Sequence, residues 1–248
     1  MKILVLSDIH SGSRYALSPP NFEGYSGNKI QKTIFKKWRE MCATVKKPDI
    51  LVLNGDITDG KGLASEGKEE WTTDIQMQID AAERLIGMID YGKAFLAYGS
   101  RYHTDENINA DEAFAKQIGV KAHGWEINLA PEGTKSTMHF SHQISVSNSA
   151  WQYRTTPLAK ELVAALLNEH CLPKYDIIGR AHAHYYCHVA FSHSFAFINP
   201  CWQVRTPYMI RKGLTLIPKM GYTVLSNDDE TWDLLPETFD IPTPETVS

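Results

Sequence analysis

The chain contains no apolar run approaching the about 20 residues a membrane-spanning helix needs. No membrane partner is therefore expected. It has no Cys-x-x-Cys pair: Cys42, Cys171, Cys187 and Cys201 are scattered, which excludes a zinc knuckle or a disulfide framework and leaves reduced, mostly buried thiols. It has no excess of positive charge. A formal net charge of −4 disfavours gripping long nucleic acid by non-specific electrostatics, although bound metals or a local basic patch would change the field near a site. No targeting segment is expected at its start, because Met1 to Leu6 reads as too short for a signal core and reaches Asp8 at once, so the expected location is the cytoplasm. Internal repeats and low-complexity linkers are missing too, so residues 1–248 read as a single domain. Residues 226–248 carry several carboxylates and no lysine or arginine, and read as an acidic tail or an edge segment docked through Trp232, Leu234 and Leu235.

What is present is ordinary globular composition, 43% hydrophobic and 22% charged. Lys2 to Ser7 is an apolar run suited to a buried strand. Ile30, Ile34, Trp38, Met41 and Val45 recur at helical spacing, predicting a helix from Lys29 to Lys47. Ile50–Leu53 and Ala94–Tyr98 read as strands, with a helical pattern from Ile75 to Ile89 between them. Ala110–Ile118 reads as a short helix, and residues 120–147 as antiparallel strands around a Pro131-Glu132-Gly133 turn. Pro157–His170 reads as a helix, Tyr175–Ile178 as a strand ending at Gly179, and the remainder to Leu225 as short strands and turns. Strands and helices alternate early and strands dominate late. The expected fold is α/β, a sandwich of two mixed β-sheets flanked by helices.

The chemistry-bearing residues sit where strands stop. Asp8-Ile9-His10 follows the first strand and Gly55-Asp56-Ile57-Thr58-Asp59 the second. Gly99-Ser100-Arg101-Tyr102-His103 follows the third. Later come His139-Phe140-Ser141-His142 and Gly179-Arg180-Ala181-His182-Ala183-His184. Ligands collect beyond the carboxyl ends of strands in α/β sheets, so five ends can meet at one site. Carboxylate with imidazole and no thiolate suits manganese, iron, zinc or nickel. A pair of such ions lowers the pKa of a bound water and neutralises phosphoryl charge, which is the chemistry of phosphate-ester hydrolysis by a metal-bridging hydroxide.

In order and spacing, this set resembles the calcineurin-like metallophosphoesterase superfamily, whose pattern is Asp-x-His, Gly-Asp-x-x-Asp, Gly-Asn-His, a lone His, then Gly-His-x-His. The match runs from Asp8 to His184. The resemblance implies two divalent ions, manganese first among the candidates. Asp8, His10, Asp56 and His184 would hold one, with Asp56 bridging, and His142 and His182 the other. It also implies that Asp59 orients a catalytic histidine. The chain departs from the pattern twice. The glycine of the last motif, Gly179, lies two residues early. The asparagine ligand of the third motif is replaced by Ser100, with His103 two positions late; Ser100 or a water would fill the gap. These departures, and the segment from His142 through Trp151-Gln152-Tyr153-Arg154 to the Leu158 helix, resemble phage-encoded members, implying a phage origin and the host cytoplasm.

Plainer readings stand beside these. Asp59-Gly60 is also an ordinary turn signal. His182 and His184, two apart, would face one side of an extended backbone, where metal binding explains them better than crowding at a surface. Three residues separate His139 from His142, so they face opposite sides of a strand; His142 is taken as the ligand and His139 as a satisfied strand histidine. His103 is assigned to protonate the leaving oxygen or stabilise phosphoryl charge, and Arg101 to steady the phosphate. Arg14, Tyr102, Trp151, Tyr153 and Arg154 are candidates to bind substrate, together with Arg180, fewer than half of them by contact. The expected partner is a phosphate-ester substrate, a phosphodiester or phosphomonoester of a nucleotide or nucleic acid. Two alternatives stay open: a degenerate metal-binding scaffold, motivated by the lost asparagine, and a nuclease that needs a partner subunit. Oligomeric state is not legible.

Overall fold

Two five-stranded mixed sheets stack face to face in the computed structural model, which describes residues 1–62, 65–103, 109–145, 153–167, 174–228 and 231–241, with backbone alone at Tyr102. The first sheet has the order β10-β9-β1-β2-β3. Its strands are β1 (Lys2–Leu6), β2 (Ile50–Asn54), β3 (Lys93–Ala97), β9 (Met220–Asp228) and β10 (Thr231–Phe239). The second has the order β4-β5-β6-β8-β7, with β4 (Glu126–Leu129), β5 (Met138–Ser141), β6 (Ile177–Arg180), β7 (Cys187–Phe191) and β8 (Ser194–Ile198). β1, β2 and β3 run parallel, as do β5, β6 and β8, and antiparallel strands complete each sheet. This is the expected sandwich.

The period-2 alternation of strand side chains explains why β1 and β2 are apolar throughout. Ile3, Val5, Ile50 and Val52 point between the sheets, against Ile127, Met138, Phe140, Ile177 and Phe197. Leu4, Leu6, Leu51 and Leu53 point the other way. They meet Ile34, Trp38 and Met41 of α1 (Lys29–Val45), Ile79 and Leu85 of α2 (Ile75–Ile86) and Phe114 of α3 (Ala110–Gln117). The outer face of the second sheet packs Ile178, Ala196 and Ile198 under Leu158 and Leu162 of α4 (Thr156–Leu167). The result is four layers, helix–sheet–sheet–helix.

Several boundaries differ from the sequence reading. α1 begins as expected, in a capping box where Asn28 accepts from the Gln31 N–H and Gln31 accepts from the Asn28 N–H. It stops at Val45, because Lys46 and Lys47 turn left-handed ahead of Pro48. α2 ends at Ile86, capped by Gly87, rather than at Ile89. β6 is shifted: Gly179 and Arg180 lie inside it, paired with Phe197 and Ile198. A Cβ at 179 would sit 2.4 Å from the Phe140 ring, so Gly179 serves sheet packing and not the histidine turn. The stretch read as strands and turns also holds a short helix, α5 (Pro207–Arg211), capped by Thr206. Within 226–241 the chain forms the end of β9 and the edge strand β10, with the Trp232 indole N–H donating to Ser136 Oγ. No helix among the described residues is long and apolar enough to cross a membrane.

Candidate metal centre

Backbone hydrogen bonds continue past the strand ends and lock the motif turns together. Asp8 N donates to Gly55 O, His10 N to Asp56 O, and Ala181 N to His142 O. The Asn54 side chain crosses between the sheets to Ser141 O, and His142 Nδ1 meets Asn54 O at 2.8 Å. The sheets therefore meet with the carboxyl ends of β1, β2, β3, β5 and β6 around one point.

Asp8, His10, Asp56, His182 and His184 all have positive φ, between 49° and 67°. This corrects the expectation that His182 and His184 project together from extended backbone. Each occupies its own left-handed turn, with Ala183 N bonded to Ala181 O between them. The two imidazoles consequently serve different groups: Asp8, His10 and His184 form one, and Asp56, His142 and His182 another. A third group joins His10, Asp56 and His103, and within each the candidate ligand atoms lie within 4.8 Å of one another.

The distances are those of a tight cluster. His184 Nε2 lies 3.2 Å from Asp8 Oδ1 and 3.2 Å from His10 Nε2. His142 Nε2 is 2.9 Å from Asp56 Oδ2 and 3.8 Å from Asp8 Oδ1. Asp8, His10 and His142 are completely buried. Buried polar atoms are normally hydrogen-bonded, yet Asp8 Oδ1 and His142 Nε2 have no partner of hydrogen-bonding geometry. Lone-pair atoms aimed inward at a shared point fit a cation, so the residues present suit the metals that the motif set implies.

The charges hold one another in place. Burial alone would raise the Asp8 and Asp56 carboxyls, but the facing imidazoles, His142 foremost, hold both well below the usual carboxylate range. Burial opposes protonation of His142, and the Asp56 and Asp8 carboxylates overcome it, raising it to about 9. His184 is raised well above its ordinary value against the same burial penalty, by Cys201 and Asp8. His182 goes the other way, to about 4, through burial and then the neighbouring His142. A cation entering such a cluster displaces protons from imidazole.

Asp59 and His103 complete the rim. The Asp59 carboxylate is closest to His10, with Oδ1 2.9 Å from Nδ1, while His103 Nδ1 meets the Asp59 backbone carbonyl at 2.9 Å and the carboxylate at 3.5 Å. The structure thus couples Asp59 most directly to a ligand candidate. His103 Nε2 faces Asp56 Oδ2 at 3.8 Å, with the side chain 27% exposed. Burial lowers the His103 pKa, but Asp56 and Asp59 outweigh it and the net shift is upward. Ser100 donates both its N–H (2.6 Å) and its hydroxyl (3.2 Å) to the Asp56 carboxylate.

The substrate candidates divide. Arg101 lines a cavity together with Ser100, Trp125, Gln143 and His182. Arg14 is exposed, with Nε donating to Glu70 O. Tyr153 is exposed ahead of α4, and Arg154 lies 4.9 Å over the Tyr185 ring. Arg180 is a strand residue and not a loop one, paired with Glu161 at 2.7 Å and with its NH2 2.9 Å from His139 Nδ1. His139 is a satisfied strand histidine, stacked on Tyr175 and 3.1 Å from Glu126. Trp151 and the Tyr102 side chain lie outside the described residues.

Two structural residues were not singled out from the sequence. Asp111, in the first turn of α3, accepts from Gly99 N at 2.7 Å and Ile57 N at 3.2 Å, tying the turns after β2 and β3. An acid there reads only as favourable helix electrostatics. Buried Gln78 of α2 accepts from Asp59 N and Gly60 N and donates to Gly60 O, holding the Asp59 turn. Its position in the helical repeat gave no sign of this.

The calcineurin-like phosphoesterase family model matches residues 1–186. Solved structures similar to the chain include wild-type Vps29 complexed with zinc from Entamoeba histolytica, at 11% identity and TM-score 0.48, covering 97% of this chain and 100% of that one. Vps29 from Chaetomium thermophilum is similar at 10% identity and TM-score 0.48, with 96% of each chain covered. A novel archaeal phosphodiesterase is similar at 11% identity and TM-score 0.47, covering 96% of this chain and 100% of that one. No curated protein matches the sequence. With its family model spanning the whole run of motif turns from Asp8 to His184, the chain belongs to the calcineurin-like phosphoesterase family.

Proposed function

We propose that the chain is a dinuclear-metal phosphoesterase acting on a phosphodiester or phosphomonoester of a nucleotide or nucleic acid. The observation that carries this is the convergence of the Asp8–His10–His184 and Asp56–His142–His182 groups from both sheets. Asp56 also belongs with His10 and His103, so it is the carboxylate that would be shared between two ions. The donor set of carboxylate and imidazole suits manganese first, with iron, zinc or nickel as alternatives. When bound, such ions lower the pKa of water and neutralise charge on phosphoryl oxygens.

The protein's own groups do the rest. Ser100 and the turn at Gly99 fix the Asp56 carboxylate through two hydrogen bonds, with the Ser100 oxygen lone pairs left to ligate. Asp59 holds His10 in one orientation. The Asp59 carbonyl engages His103 Nδ1, which turns Nε2 towards the cluster, where it is within reach to protonate the leaving oxygen. Arg101, which lines the cavity, is placed to steady the phosphate. A phage origin and a cytoplasmic location belong to the same reading, on the strength of the segments at 100–103 and 142–158.

The replacement of asparagine by Ser100 favours one rival, a scaffold that binds metal without turnover. Hydrolysis of bis(p-nitrophenyl) phosphate and p-nitrophenyl phosphate with added manganese separates the two. Turnover that disappears in Asp56→Ala is the expected result. A folded protein inactive with manganese, iron, zinc and nickel would establish the scaffold instead.

A further inference from the structure

We infer that the cavity beside His182 is a nucleobase pocket, in which Trp125 stacks on the base of a mononucleoside phosphate ester. This rests on the phosphoesterase reading and narrows its substrate class. The cavity has a volume of about 430 Å³ and is lined by Ser100, Arg101, Trp125, Gln143 and His182. That size is typical of small-molecule sites. One wall belongs to the metal-capable cluster, through His182 and through Ser100 on the Asp56 carboxylate.

The same cavity is lined by a half-exposed indole. Trp125 is 50% exposed, immediately before β4. Its orientation is set by its neighbours: Tyr98 meets it edge-on at 5.6 Å and 90°, and the Arg101 guanidinium carbon lies 6.0 Å from the ring centroid. The preceding residue, Gly124, accepts a 2.7 Å hydrogen bond from Tyr98 N, fixing this turn to the strand end that carries Ser100. An indole held in place beside a phosphate site offers a flat face to a base. Gln143 supplies a donor and an acceptor for a base edge. The net charge of −4 argues for a single nucleotide unit over a long polyanion.

The test is calorimetric binding to the full chain with added manganese, using adenosine 5′-monophosphate and ribose 5-phosphate, which share sugar and phosphate and differ in the base. Adenosine monophosphate should bind about tenfold more tightly or better. Trp125→Ala should abolish that advantage and leave ribose 5-phosphate unchanged, while Trp125→Phe should keep most of it. Equal affinities for the two ligands in the wild type would overturn the inference. So would a Trp125→Ala variant that weakens both by the same factor, the mark of a structural role. Base-dependent binding without hydrolysis of bis(p-nitrophenyl) phosphate would uphold the pocket and reject the enzyme.

Discussion

Replacing Gly99 by alanine tests the geometry of the centre without replacing any candidate ligand. Gly99 is not among the residues with positive φ, so alanine fits its backbone and only contact matters. The new methyl would lie 2.1 Å from Asp56 Oδ1 and 2.2 Å from Asp56 N. Ordinary contact begins near 3.4 Å, so the turns after β2 and β3 must part by more than 1 Å. The two turns pass close enough that a Cβ at Gly55 would itself lie 2.6 Å from Gly99 Cα, so glycine stands on both sides of the approach. Overpacking of this kind costs about 1–3 kcal/mol, against a gain of about 0.4–1 kcal/mol from the stiffer unfolded chain. For a chain of this length, the net loss of up to about 2.6 kcal/mol should lower the melting temperature by as much as roughly 10 °C. The larger effect falls on chemistry: displacing Asp56 by about 1 Å should cut kcat/KM on bis(p-nitrophenyl) phosphate about 100-fold. Thermal denaturation and manganese-supported turnover of one preparation read both quantities. A variant within 1 °C and twofold of the wild type would refute the claim that Gly99 sets the position of Asp56.

Two further substitutions probe the supports. Asp59→Asn weakens the hold on His10 and should reduce manganese affinity by about 10–100-fold with little change in the metal-free melting temperature; unchanged affinity by calorimetry would remove Asp59 from the site. Burial, and then negative Asp56, push the Asp111 carboxyl up to about 6. Its folded pKa lies above its unfolded one, so the stability it contributes is complete below about pH 4 and lost as pH rises through about 6. In metal-free protein, the unfolding free-energy gap between wild type and Asp111→Asn should therefore narrow from about pH 4 to pH 7. Urea melts that give a constant gap would show that Asp111 does not titrate in this range.

The sandwich was legible because its strands are buried on both faces and its helices on one, and each case leaves its own hydrophobic period. Boundaries were missed where a local conformation overrode the period, as with left-handed Lys46 and Lys47. The ligand candidates were legible because carboxylate and imidazole recur just after apolar runs. Their division was not: His182 and His184 look like one paired unit in the sequence, and only the two left-handed turns send them to different groups. Asp111 and Gln78 were illegible for a different reason, since they act on backbone N–H and carbonyl groups that any sequence would offer. Trp125 sits beside Gly124 ahead of a short strand, without a motif to mark it; its place at the cavity depends on the docking of one sheet onto the other.

Left-handed backbone at Asp8, His10, Asp56, His182 and His184 sets folding and reactivity in opposition. Glycine adopts that conformation without steric penalty, whereas a side chain there stores on the order of 1 kcal/mol or more. Five such positions amount to a sizeable share of the roughly 5–15 kcal/mol that separates a folded domain from its unfolded chain. The apolar layers must therefore be stronger than an inert sandwich of this size would require. Drift to glycine at any of the five turns would relax the chain while erasing a donor, so a protein freed from binding ions would gain stability by losing its centre.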